Sequence, residues 1–330
     1  MDFNNKTILI TGGAGFIGSN LAFYFQKNYP NSHIVVFDCF RSNERFDNGN
    51  LKSLGHFNNL INFSGDLICG DIKSKDDLHK LNNYSFDYIF HHAAISDTRI
   101  YDQEIIIKTN VNSFYDILDL AKKNSATLVY ASSAATYGNL PSPQTIGTEN
   151  PQNPYGFSKY MMDQIATRFS KKNKEMLVVG LRFFNVYGPR EVFKEKTASM
   201  IIQLGHQILR NQPPRLFVDS ENIFRDFIYI DDVIEANIRA LQSKKSGIHN
   251  VGSGESRSFK DIVDILQKVF NTNLNIEYFE NPYLDYQKHT QANITSLKKD
   301  LNFQPKISLE EGIQLYSNEI QQTFNMKYND

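Results

Sequence analysis

The stretch TGGAGFIG, Thr11–Gly18, directly follows the apolar run Thr7–Ile10, and together they decide the fold. An apolar strand that passes through a glycine-rich turn into a helix is typical of dinucleotide-binding folds. Gly12 would permit the tight turn, Gly15 would let the backbone approach a pyrophosphate, and Gly18 would allow close packing of helix on strand. The N–H groups at the start of that helix also favour a phosphate. The pattern predicts a dinucleotide site, with a plain strand–helix turn as the alternative.

Short β-branched runs alternate with longer amphipathic segments along the first half of the chain. This alternation predicts an α/β fold of the Rossmann type, a doubly wound parallel sheet covered by helices on both faces, with every strand buried. Strands are expected near Thr7–Thr11, Ile34–Asp38, Leu67–Cys69, Tyr88–His91, Thr127–Ala131 and Leu177–Phe183. Helices are expected near Phe16–Lys27, Asp76–Leu81, Val111–Lys123 and Tyr155–Ser170.

The pattern loosens beyond the stretch Gly188-Pro189-Arg190. A helix is expected near Ala198–Leu209 and a strand near Phe227–Ile230, followed by smaller elements. We expect residues 1–185 to form the dinucleotide-binding domain, with residues 227–255 returning to it. Residues 186–226 and 256–330 would form a smaller, partly interleaved C-terminal lobe that binds the substrate.

Composition argues against several classes of protein. The 330 residues are 41% hydrophobic, enough for a substantial core. Lys and Arg number 35 against 36 Asp and Glu, and this balance argues against a nucleic-acid partner. No apolar run approaches the roughly 18 residues that cross a bilayer, and the first strand begins too early to leave room for a signal peptide. We therefore expect a cytoplasmic protein with no membrane partner.

The cysteines and paired histidines do not indicate a metal site. Cys39 and Cys69 lack zinc-ligand spacing, and a chain without an export signal is not expected to form a structural disulfide. Both are expected to be buried, unpaired thiols. His91 and His92 would point to opposite faces of a strand, so they are not expected to share an ion. No metal is predicted.

Residues at the ends of the second, third and fourth predicted strands complete the predicted cofactor site. Asp38 ends the second strand, where a carboxylate binds the adenosine ribose hydroxyls, and this favours NAD. Arg41 and Arg45 follow closely and favour a 2′-phosphate, hence NADP, although a solvated loop would also explain them. The residues expected to border the cofactor here are Asp38, Cys39, Asp71, Ile72, His92, Ala93 and Ala94.

A second motif, Tyr155–Lys159, lies downstream of Ser132-Ser133. Tyr155 and Lys159 are four residues apart on a predicted helix and so share one face. A free tyrosine has a pKa of about 10, and a neighbouring ammonium lowers that pKa by favouring the phenolate. Lys159 could also hydrogen-bond the nicotinamide ribose, and Ser133 is placed to donate to the substrate oxygen. The motif predicts Tyr155 as the general base; an ordinary helix face is the alternative.

The two motifs and several further stretches resemble the extended short-chain dehydrogenase/reductase family, which acts on nucleotide sugars. Within it, the chain is most similar to NAD-dependent epimerase/dehydratase types that epimerise an ADP-heptose at carbon 6. The stretches that carry the resemblance run almost from end to end of the chain: Thr11–Asn20, Tyr130–Gly138, Tyr155–Lys159, Phe184–Glu191, Arg225–Ile230 and His289–Ala292.

The resemblance implies an isomerase that acts by transient oxidation and reduction with bound NADP, NAD being the alternative, in the synthesis of lipopolysaccharide core precursors. It also implies a homo-oligomer, a homopentamer in the best-known member. A UDP-hexose 4-epimerase is an alternative, whereas Ala134 and Ala135 stand where a 4,6-dehydratase carries Asp-Glu. A non-catalytic cofactor-binding protein is the alternative of another class, and the presence of Tyr155, Lys159 and Ser133 argues against it.

The resemblance also implies roles for individual residues. Lys194 would be the second catalytic group and a cofactor contact, and Arg225 would bind the diphosphate, whose paired oxygens match a guanidinium fork. Lys196 and Gln203 replace the Ser and His of better-known members at two expected substrate contacts, and Arg45 matches a family lysine. The other implied cofactor contacts are Phe16, Ile17, Asp38, His92, Ala93, Ala94, Ile95, Ser96, Asn110, Lys159 and Val186. The other implied substrate contacts are Asn185, Phe217, Val218, Asp219, Ser220 and Tyr286.

Overall fold

The computed structural model describes residues 1–282 and 287–328, and twelve strands lie in these two ranges. They are β1 (Thr7–Thr11), β2 (His33–Asp38), β3 (Asp66–Cys69), β4 (Tyr88–His91), β5 (Thr127–Ser133), β6 (Val178–Phe183), β7 (Asn185–Tyr187), β8 (Arg215–Phe217), β9 (Phe224–Tyr229), β10 (Gly247–Val251), β11 (Ser256–Ser258) and β12 (Glu277–Phe279). Seven of them form the central sheet, in the order β3-β2-β1-β4-β5-β6-β10, and every neighbouring pair is parallel.

Helices cover both faces of this sheet. The α-helices in the described ranges are α1 (Phe16–Asn28), α2 (Lys75–His79), α3 (Gln103–Ile106), α4 (Ser113–Asn124), α5 (Pro154–Lys172), α6 (Met200–Leu209), α7 (Ile230–Ala240), α8 (Phe259–Phe270), α9 (Thr295–Leu301) and α10 (Leu309–Tyr328), of which α1, α4, α5, α7 and α9 contact strands of the central sheet. The predicted α/β fold with a parallel, doubly wound sheet is confirmed. No helix in the described ranges is long and apolar enough to cross a membrane.

Alternate strand residues enter two separate cores. Ile8 and Ile10 of β1 pack into the core on the α1 side, whereas Leu9 between them packs into the core on the α4 side. Val36 and Val35 of β2 divide in the same way. Because successive side chains of a strand point to opposite faces, a strand buried on both faces must be apolar at every position, as the sequence pattern predicted.

Strand β3 departs from this pattern because it lies at the edge of the sheet. Three of its four residues are exposed, so the prediction that every strand is buried is wrong here. Cys69 ends β3 and Cys39 follows β2, and both thiols are exposed. The prediction that the two thiols are buried is therefore wrong, since both lie where the chain leaves the sheet near this edge.

The C-terminal half adds two small sheets to the central one. The three-stranded sheet has the order β11-β9-β7, and β8 pairs with β12. Strand β10 lies beside β6 at one edge of the central sheet, so residues 247–251 return to it, whereas residues 224–229 lie in the three-stranded sheet. Helices α6, α8 and α10 pack against one another. The predicted division at residues 185, 226 and 255 stays a prediction.

A buried ionic network lies where β5, β6 and α5 meet. The Nη2 atom of Arg182 in β6 lies 2.8 Å from Oδ2 of Asp163 in α5, and its Nη1 atom lies 2.5 Å from Oε1 of Glu149. Asp163 also accepts hydrogen bonds from the Tyr130 hydroxyl at 2.8 Å and the Ser132 hydroxyl at 3.0 Å. A fully buried guanidinium is tolerated because these acceptors satisfy it, and they fix α5 against the sheet.

Replacing Arg182 by Met should lower the free energy of unfolding by about 3–5 kcal/mol, because Asp163 would stay buried without its charge partner. Urea denaturation followed by circular dichroism measures this loss. Arg239→Met is the matched control, because Arg239 forms a half-exposed i,i+4 pair with Glu235 at 2.6 Å. It should cost only about 0.5 kcal/mol. Equal, small losses in both variants would contradict the structural role of the network.

Candidate active site

The glycine turn lies at the point where the order of the central strands reverses. Strand β2 lies on one side of β1 and β4 lies on the other, so their connections leave in opposite directions. This arrangement opens a crevice at the carboxyl ends of the strands, where ligands bind in doubly wound folds. Residues 12–15, Asp38 at the end of β2 and residues 92–96 after β4 all lie at this edge.

Steric contacts at two glycines make the turn fit a dinucleotide. Gly12 has a φ of +70°, and a Cβ there would lie 2.6 Å from the backbone nitrogen of Ala93. A Cβ at Gly18 would lie 2.3 Å from the carbonyl oxygen of Gly12. Gly15 precedes α1 and has no side chain to accept the first N–H groups of the helix. These groups face the crevice as donors suited to a pyrophosphate.

Two predicted cofactor residues hold the walls of the crevice together. Asp38 accepts hydrogen bonds from the backbone nitrogens of Ala14 at 3.0 Å and Phe40 at 2.9 Å, and burial raises the pKa of its carboxyl. The side-chain amide of buried Asn110 accepts from the Ile95 nitrogen and donates to the Ile95 carbonyl oxygen, both at 2.9 Å. It also donates to the Ser158 hydroxyl at 2.9 Å. Direct contact of Asp38 or Asn110 with a cofactor stays a prediction.

Helix α5 brings Tyr155 to the end of β5. The helix begins at Pro154, and Asn153 caps it by accepting from the Gly156 nitrogen at 2.8 Å. A Cβ at Gly156 would lie 2.4 Å from the carbonyl oxygen of Ala135, so glycine lets the helix approach the chain that follows β5. The phenol of Tyr155 is buried, and the side chain of Ser133 lies beside it. The sequence motif and the strand-end serine are therefore in contact.

The ammonium of Lys159 lies in the same buried region. Its Nζ atom is 6.0 Å from the centroid of the Tyr155 ring and donates a 2.7 Å hydrogen bond to the carbonyl oxygen of Ala131. Burial lowers the pKa of Lys159 to about 8, against the opposing effect of the Asp163 carboxylate. Lys159 therefore loses its proton more readily than a lysine in water does.

Burial raises the pKa of the Tyr155 phenol, and the neighbouring Ser133 side chain lowers it again in part. The prediction that the pKa of Tyr155 is lowered is therefore wrong, because burial raises it. The physical reason is that loss of hydration dominates for a phenol held in an apolar wall, while the ammonium is directed at Ala131.

Lys194 lies at the opposite wall of the crevice, in the short helical segment Val192–Thr197. Its Nζ atom is 5.4 Å from the ring centroid of Phe16, the first residue of α1. Burial lowers its pKa, and the carboxylate of buried Glu191 opposes that shift. Glu191 in turn accepts from the backbone nitrogen and the hydroxyl of Ser199, both at 2.7 Å. The hydrogen bonds between Glu191 and Ser199 thus connect the two ends of the segment that carries Lys194.

The predicted substrate residues are divided between buried and exposed positions. Asn185 donates to the carbonyl oxygen of Asp226 at 3.0 Å, and Arg225 donates to the carbonyl oxygens of Phe224, at 2.9 Å, and of Gln287. Gln203 donates to the carbonyl oxygen of Ala198 at 2.7 Å. Exposed among the others are Lys196, Val218 and Asp219; Phe217 is half-buried and Ser220 buried. Tyr286 lies outside the described residues.

The remaining predicted cofactor residues lie around the same edge of the sheet. Half-buried are Ile17, Asp71, His92, Ala93, Ala94 and Val186; Ile72 and Ile95 are buried, while Cys39, Arg45 and Ser96 are exposed. Asp71 pairs with Lys73 at 3.3 Å. Within residues 1–282 and 287–328, no three His, Cys, Asp or Glu side chains are grouped to hold a metal ion.

Several polar residues that support the site were not predicted. Asp226 accepts from Ser253 and Gly254 backbone nitrogens at 2.6 and 3.0 Å and from Ala292 at 2.8 Å, and burial raises its pKa to about 6. Nothing local in the sequence indicates these long-range contacts. Asp163 and Arg182 did carry a signal, because one lies four residues beyond Lys159 and the other interrupts an apolar strand.

The chain is similar to proteins of one known enzyme family. The chain matches the model of the NAD dependent epimerase/dehydratase family over residues 8–252. It is 35% identical, over 94% of its length and 96% of the relative's, to the ADP-L-glycero-D-manno-heptose-6-epimerase of Brachyspira hyodysenteriae. The crystal structure of the enzyme of that name from Helicobacter pylori is 46% identical, with a TM-score of 0.88 and 97% of each chain covered.

A more distant solved structure contains a cofactor. The UDP-glucuronic acid 4-epimerase of Bacillus cereus, in complex with UDP-glucuronic acid and NAD, is 27% identical to this chain. Its TM-score is 0.81, and the match covers 96% of this chain and 99% of that one. A nicotinamide cofactor is therefore a property of structural neighbours with this fold.

The buried ammonium of Lys159 should give the free energy of unfolding a characteristic pH dependence. Its pKa is about 8 in the folded protein against 10.5 ordinarily, so between these values the unfolded chain binds more protons. Linkage then makes stability rise with pH across this window. Relative to Lys159→Met, the wild type should gain up to ~3 kcal/mol, since one pKa unit corresponds to about 1.4 kcal/mol.

Urea denaturation from pH 7 to 11 measures this gain. The control is Lys172→Met, which removes an exposed lysine at the other end of α5 and should give a curve parallel to that of the wild type. A Lys159→Met curve that is also parallel to the wild type would show that the ammonium is not destabilised by burial.

Proposed function

The chain belongs to the NAD dependent epimerase/dehydratase family, and on that premise we propose that it converts ADP-D-glycero-β-D-manno-heptose to ADP-L-glycero-β-D-manno-heptose at carbon 6. The observation that carries the proposal is the contact of Tyr155 with Ser133 and its proximity to Lys159, at the edge of the sheet that also bears the glycine turn. The names of relatives 35% and 46% identical to the chain support the choice of substrate.

A bound nicotinamide dinucleotide would supply the acceptor and donor of hydride. The chain's own residues supply the proton chemistry. Ser133 orients the carbon 6 hydroxyl by hydrogen bonding, and the Tyr155 oxygen accepts its proton as carbon 6 becomes a carbonyl. The Lys159 ammonium, close to the phenol, stabilises the charged form of the base.

Inversion requires the carbonyl to be reduced on its opposite face. Carbon 6 lies outside the sugar ring, so rotation about the C5–C6 bond presents that face while the nucleotide stays bound. Lys194 is the proposed second acid, since its pKa is lowered by burial and it lies against Phe16 at the start of α1. A proton on a lysine whose pKa is lowered is transferred more readily than one on a fully hydrated lysine.

We propose NADP as the cofactor. The Asp38 carboxylate, which would select NAD, already accepts two backbone hydrogen bonds and has less capacity left for ribose hydroxyls. Arg41 and Arg45 lie close beyond it in the chain and provide guanidinium groups for a 2′-phosphate. A cytoplasmic location, a role in lipopolysaccharide core precursor synthesis and a homo-oligomer, pentameric by resemblance, belong to the same proposal.

The competing function is 4-epimerisation of a UDP-hexose, which the structural likeness to the Bacillus cereus enzyme favours. Purified protein should be incubated separately with ADP-D-glycero-β-D-manno-heptose and with UDP-glucose, and the sugar stereochemistry followed by proton NMR. We expect inversion at carbon 6 of the heptose and no change at carbon 4 of the glucose. Turnover of the UDP sugar alone would overturn the proposal.

Tyr155→Phe should lower the rate of epimerisation by roughly 10²–10⁴-fold, because it removes the group that exchanges the proton. The dissociation constant of the dinucleotide, measured by calorimetry, should change by about fivefold at most, since a single neutral hydrogen bond is worth ~1 kcal/mol. Tyr115→Phe, which alters an exposed ring on α4, is the control and should have the wild-type rate. An unaffected rate in Tyr155→Phe would assign the base elsewhere.

A further inference from the structure

A cluster of three charged side chains connects the loop after β2 with the segment that carries Lys194. Glu195 Oε1 lies 3.2 Å from Arg41 Nη1, and Glu195 Oε2 lies 3.4 Å from Arg45 Nη1. Arg41 also donates to the carbonyl oxygen of Phe193, and Arg45 to that of Gly49 at 2.9 Å. We call Arg41, Arg45 and Glu195 the arginine clasp.

The backbone of Glu195 depends on the clasp. Its φ of +51° and ψ of −122° interrupt the helical segment Val192–Thr197. A non-glycine residue adopts this conformation only where surrounding contacts enforce it. The two ion pairs supply such contacts, together with the Phe193 ring, which stacks on the His56 ring with centroids 4.0 Å apart and an interplanar angle of 4°.

The clasp has an excess of positive charge and a spare donor. Two guanidinium groups share the one carboxylate of Glu195, while the neighbouring Glu44 is paired with Lys52 at 3.1 Å. The Nε atom of Arg41 is buried and has no hydrogen-bond partner within the described residues. About half of the Arg45 side chain and two fifths of the Glu195 side chain are exposed, so an anion in solution can reach them.

We propose that Glu195 is a built-in competitor for a phosphate on the adenosine ribose and so determines how strongly the protein prefers a phosphorylated dinucleotide. The inference rests on the proposed dinucleotide site and is independent of which sugar is the substrate. Arg41 lies three residues beyond Asp38, at the strand end where the adenosine ribose lies in this fold. A phosphate monoester matches guanidinium forks in the same way as a carboxylate and carries more charge.

Two states of the clasp follow. With an unphosphorylated dinucleotide the ion pairs persist, and Glu195 keeps its unusual backbone. With a phosphorylated one the arginines turn to the phosphate, and Glu195 is released. Because Glu195 directly follows Lys194, this exchange of partners also changes the restraint on the proposed second acid.

The test compares dissociation constants of NADP⁺ and NAD⁺, measured by calorimetry on the full chain. Glu195→Gln should raise the preference for NADP⁺ over NAD⁺ by about fivefold or more, given what exposed ion pairs contribute. Glu44→Gln is the matched control: it removes a carboxylate of the same loop that pairs with Lys52, and should leave the preference unchanged.

A second arm uses Arg41→Gln/Arg45→Gln, in which adding Glu195→Gln should have no further effect on the preference. Because the preference is a ratio within one variant, a general loss of affinity cancels from it. An unchanged preference in Glu195→Gln, or an equal effect with the arginines removed, would overturn the inference. Failure of the wild type to bind either dinucleotide would overturn the cofactor site and this inference with it, whatever the epimerase assay gives.

Discussion

The buried ion pair between Arg182 and Asp163 is the interaction on which the candidate active site depends. It joins the carboxyl end of β6 to α5, and Asp163 also accepts a hydrogen bond from the hydroxyl of Ser132 in β5. The neighbour of Ser132 in the chain is Ser133, and one helical turn before Asp163 lies Lys159. The positions of the proposed proton-transfer groups are therefore set by one carboxylate that is inaccessible to solvent.

The electrostatics of the site follow from the same burial. An ammonium and a phenol are both held where water is excluded, so Lys159 is easily deprotonated and Tyr155 resists deprotonation. The raised pKa of Tyr155 and the lowered pKa of Lys159 both oppose the expected mechanism, in which a charged lysine assists a tyrosine base. A positive charge added in the crevice would lower the pKa of the Tyr155 phenol, because a nearby cation stabilises the ionised form most at low dielectric. Burial alone therefore disfavours the charged form of both groups.

Sequence patterns predicted those features of the site that depend on residues close together in the chain. The glycine turn and the four-residue spacing of Tyr155 and Lys159 depend on neighbours in the chain, and the contact of Tyr155 with Ser133 followed from the order of strands. What could not be predicted depends on residues far apart in the sequence. Asp226 accepts hydrogen bonds from Ser253, Gly254 and Ala292, and Glu195 pairs with an arginine 150 residues earlier. No short sequence pattern encodes either contact. The exposed cysteines were missed because edge position is a property of the whole sheet.

The contacts between the loop after β2 and the segment before α6 form a roof over the start of α1. Besides the clasp, the guanidinium of Arg190 donates to the carbonyl oxygen of Asn59 at 2.5 Å, and Asn59 in turn donates to that of Ala14 at 3.1 Å. These contacts connect the segment before α6 with the glycine turn that would hold a dinucleotide. Epimerisation returns its cofactor to the starting oxidation state, so departure is never needed. Contacts that hold this loop and segment together therefore suit a nicotinamide cofactor that stays bound through many turnovers and does not exchange like a co-substrate.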